Sequence, residues 1–311
     1  SNAMGVARPN FFIVGAAKCG TSSLDRYLSQ HPDIYIPPKK EAHFFSIPDF
    51  PERFTGPGDE GMNLYTIRDE DAYMRLFDGV RGERAVGEAS VFYLFYPGTA
   101  QRMYDAYPDA KILIMLRNPV DRAFSAYMHL VRDERETLSF RESLAKEEER
   151  IRQHYEPLWY YRAVGLYAAQ VKRYLDVFGR EQVKVILFEE FARDPVQVVR
   201  DCCAFLGVST DFVPDTSIRH NESGVPKSRS LYNFIAKPNA LKEIVKPFIP
   251  AAVRERLGNR AKSMVLGRME MEPDLREELT AFFAPDVARL EALIHRDLSA
   301  WRRPARAAGS Q

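Results

Sequence analysis

A short glycine-containing loop near the start of the chain has residues that suit phosphate chemistry. It reads "GAAKCGTSS" from Gly15 to Ser23, directly after the apolar run "NFFIV". A turn from a strand into a helix directs backbone N–H groups and the positive end of the helix dipole at one spot, which favours an anion. Gly15 and Gly20 keep the spacing of the ATP- and GTP-binding loop, but Thr21 stands where that loop has its lysine. The cation of this loop is Lys18, so we expect a phosphate-like ligand that needs an ammonium group there.

Five segments, in order along the chain, carry a family resemblance. They are "FIVGAAKCGTSSL", "HPDIYIPPKKEAHFFS", "GEASVFYL", "ILIMLRNPVDRAFSAY" and "ARLEALIHRDLSAW". Together they resemble the PAPS-dependent sulfotransferases of the heparan-sulfate-type and bacterial branch, whose loop is close to G-x-x-K-x-G-T-[ST]-[ST]. The resemblance covers almost the whole chain. It implies metal-independent transfer of a sulfuryl group from PAPS (3′-phosphoadenosine 5′-phosphosulfate) to an acceptor, with PAP as the product.

The resemblance assigns catalytic roles to three side chains. Lys18 would stabilise the negative charge that develops on the bridging oxygen as the S–O bond breaks. Glu41, within "KKEAHFF", would be the base that removes the proton of the acceptor, and His43 would assist it or orient the acceptor. Each residue also has a bland interpretation, as an exposed turn lysine, a solvated loop glutamate and a structural histidine.

Further positions would hold the donor. Arg117 and Ser125, in "LRNPVDRAFSAY", would bind its 3′-phosphate, because the arginine fork makes two parallel charge-assisted bonds to phosphate. The alternatives are a local ion pair for Arg117 and an ordinary helix surface for Ser125; Arg122 would share that helix face or form a surface ion pair. The 5′-phosphate would be held by Ala17, Lys18, Cys19, Gly20, Thr21, Ser22 and Ser23. A later loop, "HNESGVPKSRS", loosely resembles the family's donor-covering loop through Ser223, Gly224, Lys227 and Arg229.

The acceptor is less constrained than the donor. Where the heparan-sulfate branch has a lysine, this chain has Ala89, which argues against a heparan-like polyanion; Glu88 would contact the acceptor or cap strand structure. We expect sulfation of a hydroxyl, less often an amine, on a small molecule, a lipid or a carbohydrate. Two alternatives stay open. A P-loop small-molecule kinase would require Mg²⁺ and ATP, and a non-catalytic nucleotide-binding module would bind PAP without transfer.

Composition and periodicity predict the framework that positions these residues. The 311 residues include 44 Lys and Arg against 43 Asp and Glu, so the net charge of +1 does not indicate a nucleic-acid or anionic-membrane binder. Strands alternate with helices, so we predict one α/β domain over residues 4–311, after an expression scar at 1–3. Its P-loop-like, mostly parallel β-sheet would be flanked by helices on both faces, with ligands at the carboxyl ends of the strands.

The predicted elements follow from hydrophobic spacing. Strands are expected at 10–16, at 111–116 and in "QVKVILFEEF". Helices are expected at 20–31, near 69–77, in "TAQRMYDAY", after Asn118–Pro119, at 139–152 as a charged, solvated helix, in "AVGLYAAQVKRYLDVFG" and in "PVQVVRDCCAFLGV". A last helix is expected at the end of the chain, where apolar residues recur at 287, 290, 294 and 298.

The cysteine count and hydropathy bear on the cellular compartment. Three cysteines, two of them adjacent at Cys202 and Cys203, cannot form a disulfide framework, and we expect the pair to fill the core. No apolar run approaches the roughly 20 residues of a membrane span. With Met4 as the native start there would be no signal peptide, so the cytoplasm is the expected location.

Overall fold

A five-stranded parallel sheet forms the centre of the fold. The computed structural model describes residues 5–217 and 270–303. The strands are β1 (Phe11–Gly15), β2 (Ile34–Tyr35), β3 (Ala85–Ala89), β4 (Lys111–Leu116) and β5 (Val183–Leu187). Their order is β2-β3-β1-β4-β5, and every neighbouring pair is parallel. β1 is the central strand and is buried along its whole length. The loop that follows β1 therefore lies at the middle of the carboxyl edge of the sheet. The predicted α/β fold with a mostly parallel sheet is confirmed.

Helices connect the strands and cover the sheet. They are α1 (Thr21–Ser29), α2 (Glu60–Tyr65), α3 (Glu70–Arg75), α4 (Thr99–Ala106), α5 (Pro119–Arg132), α6 (Phe140–Ala145), α7 (Glu147–Arg152), α8 (Tyr167–Phe178), α9 (Phe188–Arg193), α10 (Pro195–Leu206) and α11 (Pro273–Ile294). Short 3₁₀ turns occupy Phe44–Asp49, Pro157–Trp159, Arg180–Gln182 and Ser299–Arg302. As predicted, Asn118 caps α5 by accepting a hydrogen bond from the Val120 N–H, and Pro119 takes the first helical position.

Two helix predictions need correction. The expected helix at 139–152 is two helices that meet at Lys146. It is also not simply solvated, since Phe140 and Leu144 are buried and the buried Glu147 carboxylate accepts two backbone N–H groups of the following segment. The last long helix ends at Ile294, so the buried Leu298 lies beyond it.

The structure tests the predictions about the cysteines and about membrane-spanning helices. All three cysteines are free and buried. Cys202 and Cys203 pack inside α10, which confirms that they fill the core, and burial raises the pKa of the Cys202 thiol to about 12. Within residues 5–217 and 270–303, no helix has the length and apolar character needed to cross a membrane.

Candidate active site

The two loop glycines are required by their backbone conformations and by close neighbours. Gly15 has φ +146° and Gly20 has φ +89°, in the region that side chains disfavour. A Cβ atom at Gly15 would lie 2.6 Å from the carbonyl oxygen of Val91, and one at Gly20 would lie 2.8 Å from the ring of Phe188. The glycine spacing in the sequence therefore reflects a loop that packs tightly against two neighbouring segments.

The helix that follows this loop presents its amino end without a competing group. No side chain among the described residues caps α1, and its first turn contains no acidic residue. The first N–H groups of a helix have no acceptor within the helix, and they attract anions. Thr21 and Ser22 belong to this first turn, and Lys18 precedes it in a left-handed conformation with φ 65°. These residues fit a phosphate group.

A cavity of about 810 Å³ opens at this loop and joins it to the predicted base. Seven of the residues that the sequence predicts line it: Ala17, Lys18, Gly20, Thr21, Ser22, Glu41 and His43. Cys19, Ser23, Arg117 and Ser125 are not among its lining residues. The volume is in the range typical of small-molecule sites. The loop at 17–22 and the segment with Glu41 and His43 thus meet around one space.

Lys18 has a neighbour that the sequence interpretation did not include. Its Nζ lies 3.3 Å from Nδ1 of His129, which lines the same cavity. The other ring nitrogen of His129, Nε2, lies 3.0 Å from the Asp133 carboxylate, and the pKa of Asp133 is lowered to about 2, chiefly by this hydrogen bond. A proton on Nε2 leaves Nδ1 as an acceptor for the ammonium group. His129 lies four residues after Ser125 on α5, a spacing that could have identified it.

Glu41 and His43 form a hydrogen-bonded pair at the cavity wall. Nε2 of His43 lies 3.0 Å from Oε2 of Glu41, and the Val91 N–H donates to the same oxygen at 2.9 Å. Both contacts use Oε2, so Oε1 is the oxygen suited to take a proton from a ligand. The Glu41 side chain is 41% exposed, whereas His43 is 1% exposed and stacks on Phe92. The histidine is therefore placed to orient the carboxylate.

The backbone around Glu41 and His43 is fixed from several sides. The Glu41 N–H donates to the carbonyl of Ala89, and the His43 N–H donates to the Ser90 hydroxyl. Just before the pair, Lys40 makes a 2.9 Å ion pair with the buried Asp25 of α1. The long proline-rich segment is thereby tied both to the end of β3 and to the helix that follows the phosphate loop.

Glu88 supports this arrangement from inside the core. Its carboxyl group accepts hydrogen bonds from the hydroxyls of Tyr73, Tyr93 and Ser90. It is 2% exposed, and burial raises its pKa. The suggested acceptor contact for Glu88 is wrong, because the residue lies in the core and does not line the cavity. Through Ser90, its hydrogen bonds lead to the backbone of His43.

Arg117 lies beside the loop and outside the cavity wall. Its guanidinium stacks on Phe188 at 4.5 Å from the ring centre, and Nη1 lies 3.4 Å from the carbonyl oxygen of Lys18. Ser125 is half-buried on α5. Arg122 is fully buried below the loop and donates to the carbonyls of Ala17 and Tyr161, so the alternative of a surface ion pair is wrong.

Two further predictions have outcomes in the loop region. Cys19 is fully buried, and burial raises the pKa of its thiol, which argues against a reactive cysteine. Any contact of this residue with the donor would use its backbone. The loop with Ser223, Gly224, Lys227 and Arg229 lies outside the described residues.

Sequence reasoning also missed an acidic and basic cluster on the cavity wall. Glu156 and Arg135 line the cavity, and Asp59 lies directly behind them. Arg135 Nη2 is 2.6 Å from Asp59 and 3.7 Å from Glu156. Burial, together with the charge of Asp59 and opposed by Arg135, raises the pKa of Glu156 to about 8. Tertiary folding brings the three residues together from segments that carry no recognisable motif.

This raised pKa predicts a specific pH dependence of stability. The unfolded chain ionises Glu156 near pH 4.5 and the folded chain near 8, so unfolding releases a proton between these values and stability falls as pH rises. The glutamine of Glu156→Gln cannot ionise, so the variant avoids this loss of stability. The Tm of the variant minus the Tm of the wild type should therefore be larger at pH 8 to 9 than at pH 5. Thermal unfolding of both proteins across this range measures the difference. A Tm difference that does not change with pH contradicts the assignment; Asp59, Arg135 and Glu41 are the charged neighbours to control by substitution.

Two comparisons find that the chain is similar to sulfotransferases. The family model described as "Sulfotransferase family" matches residues 9–106 and 96–212. The chain is 83% identical to the structure described as a sulfotransferase from Alicyclobacillus acidocaldarius, with a TM-score of 0.79, covering 96% of this chain and 100% of that one.

Two curated relatives match over shorter stretches. The membrane-associated sulfotransferase kil1 of Dictyostelium discoideum is 33% identical over 122 residues, which is 38% of this chain and 22% of that protein. Carbohydrate sulfotransferase 15 of Rattus norvegicus is 26% identical over 251 residues, or 64% of this chain and 44% of that protein. The chain thus spans less than half the length of either relative. Because the family model covers most of the chain, the resemblance inferred from the loop motifs is confirmed, and the chain belongs to the sulfotransferase family.

Proposed function

We propose that the protein transfers the sulfuryl group of PAPS to a hydroxyl group of an acceptor and releases PAP. The observation that carries this proposal is the meeting of Lys18, the amino end of α1 and the Glu41–His43 pair around one cavity. The first two suit the 5′-phosphosulfate, and the pair suits proton removal from an alcohol. An amine acceptor is the less favoured version of the same reaction.

The proposed reaction divides the work between two sides of the cavity. The acceptor oxygen attacks sulfur while Oε1 of Glu41 takes its proton, and His43 and the Val91 N–H hold Oε2. The S–O bond to the 5′-phosphate breaks, and Lys18 stabilises the negative charge that collects on the bridging oxygen. His129 accepts a hydrogen bond from the lysine and limits its freedom. The chemistry uses no group that requires a metal ion.

The 3′-phosphate provides a separate test of donor recognition. Arg117→Ala should weaken PAP binding by about 10- to 150-fold, because a charge-assisted hydrogen bond contributes roughly 1.5 to 3 kcal/mol. Adenosine 5′-phosphate has no 3′-phosphate, so its affinity should hardly change. Calorimetry with both ligands and both proteins measures the comparison.

The position of Arg117 makes the second ligand an essential control. The side chain contacts Phe188 and the Lys18 carbonyl, so its removal could also disturb the 5′ site. Equal losses for both ligands would assign Arg117 to support of the loop. Unchanged affinity for PAP would remove it from the donor site. Arg117→Lys keeps the charge without the fork and should give an intermediate loss for PAP.

Two alternative activities are separated by simple assays. A P-loop kinase would turn over ATP with Mg²⁺, whereas the proposed reaction proceeds with PAPS in the presence of a chelator. A non-catalytic module would bind PAP but leave every acceptor unchanged. The position of Lys18 three residues after the first glycine favours the sulfotransferase over the kinase.

The acceptor and the location remain parts of the proposal. A small molecule, a lipid or a carbohydrate is the proposed acceptor class, and the name of carbohydrate sulfotransferase 15 supports a carbohydrate as one member. The apolar lining residues Met62, Val91 and Leu158 also suit a less polar alcohol.

The proposed location is the cytoplasm, supported by three buried free thiols, which suit a reducing compartment.

A further inference from the structure

The carboxyl group of Glu156 faces the cavity without the partners that buried acids usually have. Its side chain is 10% exposed and lines the cavity. Arg135 Nη2, its ion-pair neighbour, is 3.7 Å away, which is longer than an ordinary hydrogen bond. No described residue donates a hydrogen bond of ordinary length to its carboxyl oxygens. A buried polar group in this condition is costly unless a ligand or water completes its hydrogen bonds.

The groups around Glu156 are committed to one another. Asp59 accepts hydrogen bonds from the backbone N–H groups of Gly56 and Glu156, from the Trp159 indole and from Arg135. Arg135 also donates through Nε to the carbonyl of Pro57. These contacts hold the cluster rigid and place Glu156 at its cavity-facing side. The partner for its carboxyl group must therefore come from the cavity.

Charge balance indicates what kind of partner fits. The positive charge of Arg135 is balanced by the negative charge of Asp59, 2.6 Å away. When Glu156 carries its proton, the cluster therefore has no excess charge to attract an ionic ligand. Its raised pKa, to about 8, keeps it protonated near neutral pH. A protonated carboxyl both donates and accepts a hydrogen bond. A hydroxyl group has the same two capacities and no charge.

We propose that Glu156 binds a second, uncharged hydroxyl group of the acceptor, away from the hydroxyl that is sulfated, and so selects acceptors with two hydroxyl groups. This inference rests on the proposed sulfotransfer reaction, because it takes Glu41 as the base for the reacting hydroxyl. Glu41 and Glu156 line the same cavity of about 810 Å³, so one small molecule can contact both carboxyl groups. Glu156 thereby determines specificity and takes no part in bond breaking.

The test compares linear probes that differ at one end. Hexanediol with a hydroxyl at each end, n-hexanol and aminohexanol are titrated by calorimetry into the PAP-loaded protein. The wild type should bind the diol more tightly than hexanol. Glu156→Ala should reduce this ratio of affinities by about 2- to 13-fold, the usual range for one hydrogen bond. Glu156→Gln, which can also donate and accept, should retain part of the preference.

Matched controls separate the subsite from the reaction and from the fold. Glu60→Ala removes an exposed carboxylate of α2 that does not line the cavity, and it should leave the ratio unchanged. PAP affinity and Tm are measured for each variant, so a failure of PAP binding counts against the proposed function and not against the subsite. A wild type that does not prefer the diol, or a preference that survives in Glu156→Ala, overturns the inference. Tighter binding of aminohexanol than of the diol would also overturn it, because the site would then select a cation.

Discussion

Lys18→Ala is expected to lower the rate of sulfuryl transfer by about 10²-fold or more while PAP affinity stays within about tenfold. The ammonium group matters most in the transition state, where charge collects on the oxygen that leaves sulfur. In the product complex the backbone N–H groups at the start of α1 and the hydroxyls of Thr21 and Ser22, which line the cavity, are expected still to hold the 5′-phosphate. Single-turnover rates at saturating PAPS, with PAP affinity from calorimetry, measure both quantities.

A second lysine of the same cavity serves as the matched control. Lys39 is exposed at the cavity rim, so Lys39→Ala removes an equal charge without touching the loop. Its loss of rate should be well below that of Lys18→Ala. Near-normal turnover in Lys18→Ala at saturating PAPS would show that the lysine is not the group that stabilises the leaving oxygen. Equal losses in both variants would mean that the cavity acts through its overall charge.

Glu41→Gln is expected to lower kcat by about 10²-fold or more with donor affinity nearly unchanged. The amide keeps the shape of the side chain and an oxygen to accept from the Val91 N–H, but it cannot take the proton of the acceptor. PAP affinity should be retained, since Glu41 belongs to a different segment from the loop that is proposed to hold the phosphate. Steady-state rates across pH, with PAP titrations, provide the measurement.

His43→Ala is the paired variant, and the 3.0 Å contact with Glu41 predicts how the two combine. If His43 acts by orienting Glu41, its removal lowers kcat in the wild type and has little further effect in Glu41→Gln. Independent, multiplicative losses would instead indicate that His43 has its own contact with the reacting groups. Full activity of Glu41→Gln at every pH would move the base to another residue.

The local parts of the site could be predicted from sequence because short-range physics determines them. The two glycines occupy backbone conformations that require glycine, and Asn118 and Pro119 start α5 through contacts with their own neighbours. The lysine position within the loop favours a phosphosulfate loop over an ATP-binding loop. These features depend on spacings of a few residues.

The other parts of the site depend on tertiary contacts that no local pattern records. Glu156 contacts Asp59 across 97 positions of sequence, and Lys18 meets His129 across 111. For Glu88 the sequence suggested a functional role that the structure does not support. The residue was considered for acceptor binding, but three hydroxyl groups donate hydrogen bonds to its carboxyl group in the core. The part of the cavity wall around Glu156 depends on such contacts, which is why the sequence predicted the donor better than the acceptor.

The central claim is tested most directly by following the sulfuryl group itself. Purified protein is incubated with radiolabelled PAPS, a chelator and a panel of alcohols, diols and sugars, together with cell extract as a source of the natural acceptor. We predict that label moves from PAPS to an organic product in equal amount to the PAP formed, and that Lys18→Ala and Glu41→Gln greatly reduce this transfer. The claim is contradicted if the wild type transfers no label to any acceptor, or if label moves equally well with both variants.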